Sequence, residues 1–278
     1  MSSGEKIIVF SDLDGTLLDE NYSFAAARPA LRKMAESSIP LILCSSKTRK
    51  EIEHYRDEIG NRHPFISENG GGIFIPEGYF PDETILERFS PGIEPGYRVI
   101  RLGTPYRELR KALAELRAEG FPITGFGDLS TAELAKLTGL STHEALLSKE
   151  RDFDEPFLFM GNEEEKSKLF RAIRGRCLFT TQGVYWHLLG DNDKGKAVKI
   201  LVEIFRARYG SLKTVALGDS PNDLPMLENV DIPLVVQRPD GRHHSALSLP
   251  NLGKFEGIGP HGWNSAMLAL LSRLEKVP

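Results

Sequence analysis

Apolar residues in this chain fall into short unbroken runs separated by amphipathic stretches, and that alternation is its first structural signal. Residues 7–11, 41–44 and 65–67 read as strands, while 26–37 and 49–59 carry the wider apolar spacing of helices. Strands that are apolar throughout, rather than at every second position, fit a sheet covered on both faces. Strand–helix alternation argues for parallel strands joined by right-handed crossovers. After a glycine-rich turn, residues 73–76 look like the return strand of a hairpin.

From about residue 76 prolines and glycines accumulate and the pattern changes. Residues 97–102 predict a strand and 106–118 an amphipathic helix. Ser130-Thr131-Ala132-Glu133 and Ser141-Thr142-His143-Glu144 each match a helix-starting capping box. Strands at 157–160, 177–181 and 184–189 and a helix at 162–174 follow. A helix at 197–209, striped by Val198, Leu201, Val202 and Phe205, then restores the first pattern, with a strand at 215–217. Residues from Ile232 on complete it, through a glycine-rich loop at 257–263 of no evident role and a last helix. The expected fold is α/β: a Rossmann-like parallel-sheet core from residues 1–81 and 189–278, interrupted by an α+β insertion at 82–188.

Candidate chemistry collects where strands end. Asp12-Leu13-Asp14-Gly15-Thr16 follows the first strand and sets two carboxylates two residues apart, so that both can face one way. Such a pair can share a divalent cation, and one member can attack phosphorus. A calcium loop does not fit, because its glycine belongs at position 6 and its glutamate at position 12, where this chain has Leu17 and Ser23. A second acidic turn, Gly218-Asp219-Ser220-Pro221-Asn222-Asp223, follows the strand at 215–217 and adds hard oxygen donors of the kind Mg²⁺ prefers. Ser45-Ser46-Lys47-Thr48 stands at a strand-to-helix junction suited to a phosphate oxygen. Lys194, beside Asp191 and Asp193, opens a helix and can neutralise carboxylate or phosphoryl charge. Taken singly, Ser45 reads as a cap and Lys194 as a solvated charge. The set taken together points to phosphoryl transfer.

In order and spacing these four segments resemble the motifs of the haloacid dehalogenase-like hydrolases. The stretches Ile42–Thr48, Glu68–Gly71, Thr138–Leu140, Arg151–Phe157 and Trp186-His187 further resemble the mannosyl-3-phosphoglycerate phosphatase family. The resemblance implies that the insertion is a Cof-type cap, an open-faced sheet with helices on one side. It implies Asp12 as nucleophile and Asp14 as general acid and base, with Ser45 and Lys194 on the phosphoryl oxygens. Mg²⁺ would be held by Asp12, the Asp14 carbonyl and Asp219, with Asp223 behind. Asn222 would orient Ser45 or a phosphoryl oxygen. Substrate contacts fall to Ser46, Lys47 and Asn69 on core loops and to Arg151 and Glu155 in the cap.

Composition adds exclusions. With 278 residues, 40% hydrophobic and 27% charged, the chain can bury a full core, and its net charge of -4 offers no footprint for nucleic acid. No run reaches the ~18–20 apolar residues of a membrane span, and the short polar start leaves no room for a signal peptide. Cys44 and Cys177 both lie in apolar runs and read as core residues, not as a disulfide framework. The expected setting is the cytoplasm. The adjacent His243 and His244 point to different faces and make no metal site, and His187 reads as a core or interface aromatic. No GxxxxGK[ST] phosphate loop is present, which excludes a P-loop kinase. The implied partner is a small phosphorylated sugar-glycerate. Three readings follow: a phosphatase for mannosyl-3-phosphoglycerate, one for glucosyl-3-phosphoglycerate or another sugar phosphate, or a ligand-binding module without turnover. Oligomeric state is open.

Overall fold

The computed structural model of the chain describes residues 6–81 and 84–274. Strands β1 (Lys6–Ser11), β2 (Leu41–Cys44), β3 (Phe65–Ser67), β4 (Gly72–Pro76), β5 (Gly92–Glu94) and β6 (Tyr97–Arg101) come first. A second group holds β7 (Ile123–Gly125), β8 (Asp154–Phe159), β9 (Phe179–Gln182) and β10 (Trp186–Leu189). The chain closes with β11 (Leu212–Gly218), β12 (Ile232–Gln237) and β13 (Gly253–Ile258). They form a nine-stranded sheet of order β13-β12-β11-β1-β2-β3-β4-β6-β5 and a four-stranded sheet of order β7-β8-β10-β9.

From β13 to β3 the large sheet is parallel, and β4, β6 and β5 extend it antiparallel. This is the expected α/β core. Its two faces separate the side chains of β1 by the alternation of a strand. Val9 packs with Ala30, Met34, Ile52 and Trp263 on one face, and Ile8 and Phe10 pack with Val198, Leu201 and Phe205 on the other. Burial on both sides explains the continuous apolar runs read in the sequence.

The insertion differs from its expected bounds. β5 and β6 fall within the stretch expected to be inserted, yet β6 pairs with β4, so these strands belong to the large sheet. The change of sheet falls between Arg101 and Ile123. The small sheet is antiparallel, and the helices Tyr106–Ala118 and Glu163–Arg174 cover one of its faces through Leu109, Leu113, Leu116, Leu169 and Ile173. Both predicted capping boxes form, with Ser130 accepting from the Glu133 amide and Ser141 from the Glu144 amide. Cys177 is exposed rather than buried, held at φ 56° in the turn after the helix Glu163–Arg174. An apolar run does not distinguish a turn from the strand that follows it.

Candidate active site

Strand order brings the acidic turns together. β1 lies between β2 and β11, with Ser11 paired to Leu43 on one side and to Leu217 on the other. The next residues of all three strands, Asp12, Ser45 and Asp219, therefore leave the same edge of the sheet as neighbours. This is the crevice at the carboxyl ends of the strands where α/β folds place ligands. The Asp12 amide donates to the Leu217 carbonyl (3.0 Å), extending the pairing into the turn. Gly15 then takes φ 74°, and a Cβ there would stand 2.9 Å from Asp219 Oδ2, so only glycine fits between the two acidic turns.

At the centre, Lys194 Nζ donates to Asp12 Oδ1 and Asp223 Oδ1, each at 2.6 Å. Asp223 Oδ2 accepts from the amides of Asp219 (3.0 Å) and Ser220 (3.1 Å), and Asp219 Oδ1 accepts from Thr16 Oγ1 (3.1 Å). Carboxylate oxygens of Asp12, Asp219 and Asp223 lie within 4.8 Å of one another, all buried. One ammonium, with the Arg238 guanidinium 3.9 Å from Asp219, faces three acids. Burial, then Asp223, pushes the Asp12 carboxyl well above its usual range against the pull of Lys194. Burial and Asp223 likewise lift Asp219 to about 7. Burial opposes the charge of Lys194, but Asp12 and Asp223 outweigh it and raise its pKa. Crowded hard oxygens with too little positive charge fit a divalent cation such as Mg²⁺. Asp223 is committed on both oxygens, so Asp12 and Asp219 are the acids left to face it.

Above this centre lies a cavity of about 310 Å³, walled by both sheets. Asp14, Ser46, Lys47, Asp219, Asn222 and Arg238 line the side of the large sheet. Lys47 pairs with Asp14 (2.9 Å) and Glu51 (3.5 Å), and these acids outweigh burial and push its pKa up. Phe126, Thr138, Ser148, Arg151, Pro156, Tyr185 and His187 line the other side. Arg151 reaches across to the Ser46 carbonyl (3.3 Å), Tyr22 to Thr138 (3.0 Å) and Thr48 to Leu147 (3.0 Å), so the walls are joined.

The other expected residues lie around the cavity rather than in its wall. Ser45 is buried beneath it, its Oγ accepting from the Lys47 amide (3.2 Å). Asn69 is behind the wall, donating to Asp154 Oδ2 (2.7 Å) and accepting from Asn222 (3.1 Å). Glu155 points the other way. Along β8, Asp154 and Pro156 face the cavity side, while Glu155 turns to the helix side, where it accepts from Arg110 (2.7 Å) and the Gly127 amide (3.0 Å). Tyr22, Phe126, Tyr185 and Arg238 are lining residues that sequence reading did not single out. They come from separate loops and carry no shared motif. Glu51 was legible only as a helix residue; it closes the capping box with Thr48 and still faces the cavity.

The glycine-rich loop near the carboxyl terminus acquires a place here. Trp263, fully buried, donates from Nε1 to Ser11 Oγ (2.9 Å), and Ser11 Oγ donates to the Asp12 carbonyl (2.8 Å). The closing helix Pro260–Leu274 thus braces the backbone of the first acidic turn from below.

Residues 9–88 and 134–240 match the family described as haloacid dehalogenase-like hydrolase. A glucosyl-3-phosphoglycerate/mannosyl-3-phosphoglycerate phosphatase of Methanococcoides burtonii is 49% identical over 271 residues, covering 96% of this chain and 98% of that protein. A protein of the same name from Persephonella marina is 39% identical over 97% of this chain and 99% of its own length. Among solved structures, a phosphatase of the haloalkanoate enzyme superfamily from Bacteroides thetaiotaomicron superposes with a TM-score of 0.65. It is 17% identical and covers 99% of this chain and 97% of its own, a likeness of fold.

Proposed function

This chain belongs to the haloacid dehalogenase-like hydrolases and is a phosphatase, and from that premise we propose that it hydrolyses the phosphomonoester of a glycosyl-3-phosphoglycerate with Mg²⁺. Mannosyl-3-phosphoglycerate is the leading substrate, and the glucosyl compound stands beside it because the relatives at 49% and 39% identity are named for both sugars. The observation that carries the chemistry is Asp12, held 2.6 Å from a buried lysine at the foot of a cavity walled by both sheets.

Asp12 attacks phosphorus through a carboxylate oxygen and forms an aspartyl-phosphate as the ester oxygen departs. Asp14 stands at the cavity wall, placed to give that oxygen a proton and then to take one from the water that cleaves the intermediate. Lys194 offsets the charge of Asp12 and of the phosphoryl group as they approach. Ser45 and the amides of its turn take phosphoryl oxygens from below. Asp12, Asp219 and the Asp14 carbonyl, with Asp223 behind, would hold a Mg²⁺ ion, which would supply the remaining positive charge. The small sheet acts as a cap that excludes water and reads the rest of the substrate. Lys47 and Arg151 are the cations available for its carboxylate.

The test is phosphate release with Mg²⁺ from mannosyl- and glucosyl-3-phosphoglycerate, 3-phosphoglycerate, hexose phosphates and p-nitrophenyl phosphate. A kcat/KM for one or both glycosyl compounds ~100-fold above the others, about 2.7 kcal/mol of discrimination, supports the substrate class. Equal rates across the panel would leave a phosphatase and remove the substrate.

A further inference from the structure

Reading a glycosyl-3-phosphoglycerate requires a group that meets sugar hydroxyls, whereas the charged residues of the proposed mechanism serve the phosphate, the metal and the carboxylate. On the small sheet one pair stands apart. His187 and Pro156 are directly opposed in the β8–β10 ladder and both line the cavity, with Asp154 two residues along the same face. Asp154 is wholly buried. Its Oδ1 accepts from His187 Nδ1 (2.9 Å) and its Oδ2 from Asn69 (2.7 Å), with Arg151 4.0 Å away. His187 Nε2 has no protein partner among the described residues and does not belong to the sealed, unpaired polar atoms. A buried histidine fixed through one nitrogen and open to a cavity through the other is built to meet a ligand.

The tautomer narrows that ligand. A carboxylate accepts only, so Asp154 favours the Nδ1–H tautomer, in which Nε2 is left as an acceptor. The phosphate and carboxylate of the substrate are acceptors as well. In a glycosyl-3-phosphoglycerate both glycerate oxygens are substituted, so the only donors are the hydroxyls of the sugar.

We infer that His187 Nε2 accepts a hydrogen bond from a hydroxyl of the glycosyl unit and is a specificity-determining residue, with Asp154 as the positioning residue that sets its tautomer. The inference rests on the glycosyl-3-phosphoglycerate reading above. The positioning residue is itself held by contacts that reach the large sheet. From Asp154 hydrogen bonds run through Asn69 and Asn222 to the Ser220 hydroxyl, and the Ser220 amide continues them to Asp223, Lys194 and Asp12.

The experiment compares His187→Phe, which keeps a flat ring and removes both nitrogens, with wild type on two substrates. One is the better glycosyl-3-phosphoglycerate; the other is p-nitrophenyl phosphate, which has no sugar. The expected result is a ~10–100-fold fall in kcat/KM for the glycosyl substrate, mainly through KM, as befits one lost hydrogen bond in a buried site. Turnover of p-nitrophenyl phosphate stays within about twofold. Monodeoxy sugar analogues supply the second arm: one of them loses the same factor with wild type and loses nothing further with the variant. Should His187→Phe not unfold cooperatively, His187→Gln, whose amide reaches near Nε2, is read by the same ratio. Equal losses on both substrates, or none, overturn the role of His187 while the substrate reading stands. Failure of wild type to prefer either glycosyl compound overturns both.

Discussion

Lys194 Nζ and Asp12 Oδ1 meet at 2.6 Å across 182 residues of chain, and both side chains are almost wholly buried. The lysine is the only ammonium bonded to the Asp12, Asp219 and Asp223 cluster among the described residues, so it offsets much of the repulsion among those acids. Lys194→Met is expected to abolish phosphate release and, with EDTA present, to cost about 3–5 kcal/mol, as for a buried ion pair broken on one side. Mg²⁺ should recover part of that loss, because the cation replaces the missing charge. Thermal unfolding with EDTA and with Mg²⁺ measures both terms; equal melting temperatures in the two conditions would remove the cluster as a metal site.

Asp12→Asn separates chemistry from folding. The amide keeps the shape and relieves crowding by Asp223 and Asp219, so melting temperature should hold or rise slightly. Phosphate release should fall at least ~1,000-fold, about 4 kcal/mol of barrier. Turnover near wild type would displace Asp12 as the nucleophile.

Glu68 predicts a pH dependence. Its carboxylate accepts from the amides of Asp152 (3.0 Å) and Phe153 (2.8 Å) at the entry to β8, and burial lifts it to about 8 although Arg151 pulls it down. The folded protein holds this proton more tightly than the unfolded chain. The associated stability is complete below the ordinary value near 4.5 and is lost as pH rises through about 8. Glu68→Gln, neutral throughout, should therefore gain on wild type between pH 5.5 and about 8 by on the order of 3 kcal/mol. Unfolding curves at several pH values test this, and parallel curves for the two proteins would refute it. Asp12 and Asp219 titrate alike in both, so the difference isolates Glu68.

Gly70 has φ 85°, and a Cβ there would lie 2.1 Å from the Asp193 carbonyl oxygen, one residue before Lys194. Neither backbone can yield locally. Gly70→Ala should lower stability by about 1–3 kcal/mol and reduce phosphate release by displacing the turn that carries Lys194. Gly78→Ala is the control, since Gly78 shares a positive φ of 70° but a Cβ there meets nothing within 4 Å. It should show the backbone strain alone, with activity retained.

How much of this was legible beforehand follows from how each part is encoded. The acidic turns, the Ser45 turn and the Lys194 helix start are contiguous segments after apolar runs, and a strand end is a local property. The helix caps at Ser130, Ser141 and Asn162 depend on residues three apart and were equally readable, the first two as capping boxes and the third as a helix start. Strand partnership is not local. That β6 joins β4 in the large sheet, rather than opening the insertion, is a choice between edges that residues 97–101 leave open on their own.

The sequence by itself therefore determined the α/β class and picked out the four segments that meet at the candidate site, because short-range spacing sets which turn follows which strand. Only the tertiary structure decided what faces the cavity. Pro156 faces it and Glu155 does not, since alternation along β8 becomes a direction only once the helices Tyr106–Ala118 and Glu163–Arg174 have covered the other face. The partner of His187 is likewise supplied by Asp154 from a neighbouring strand, at a distance no spacing within either segment encodes.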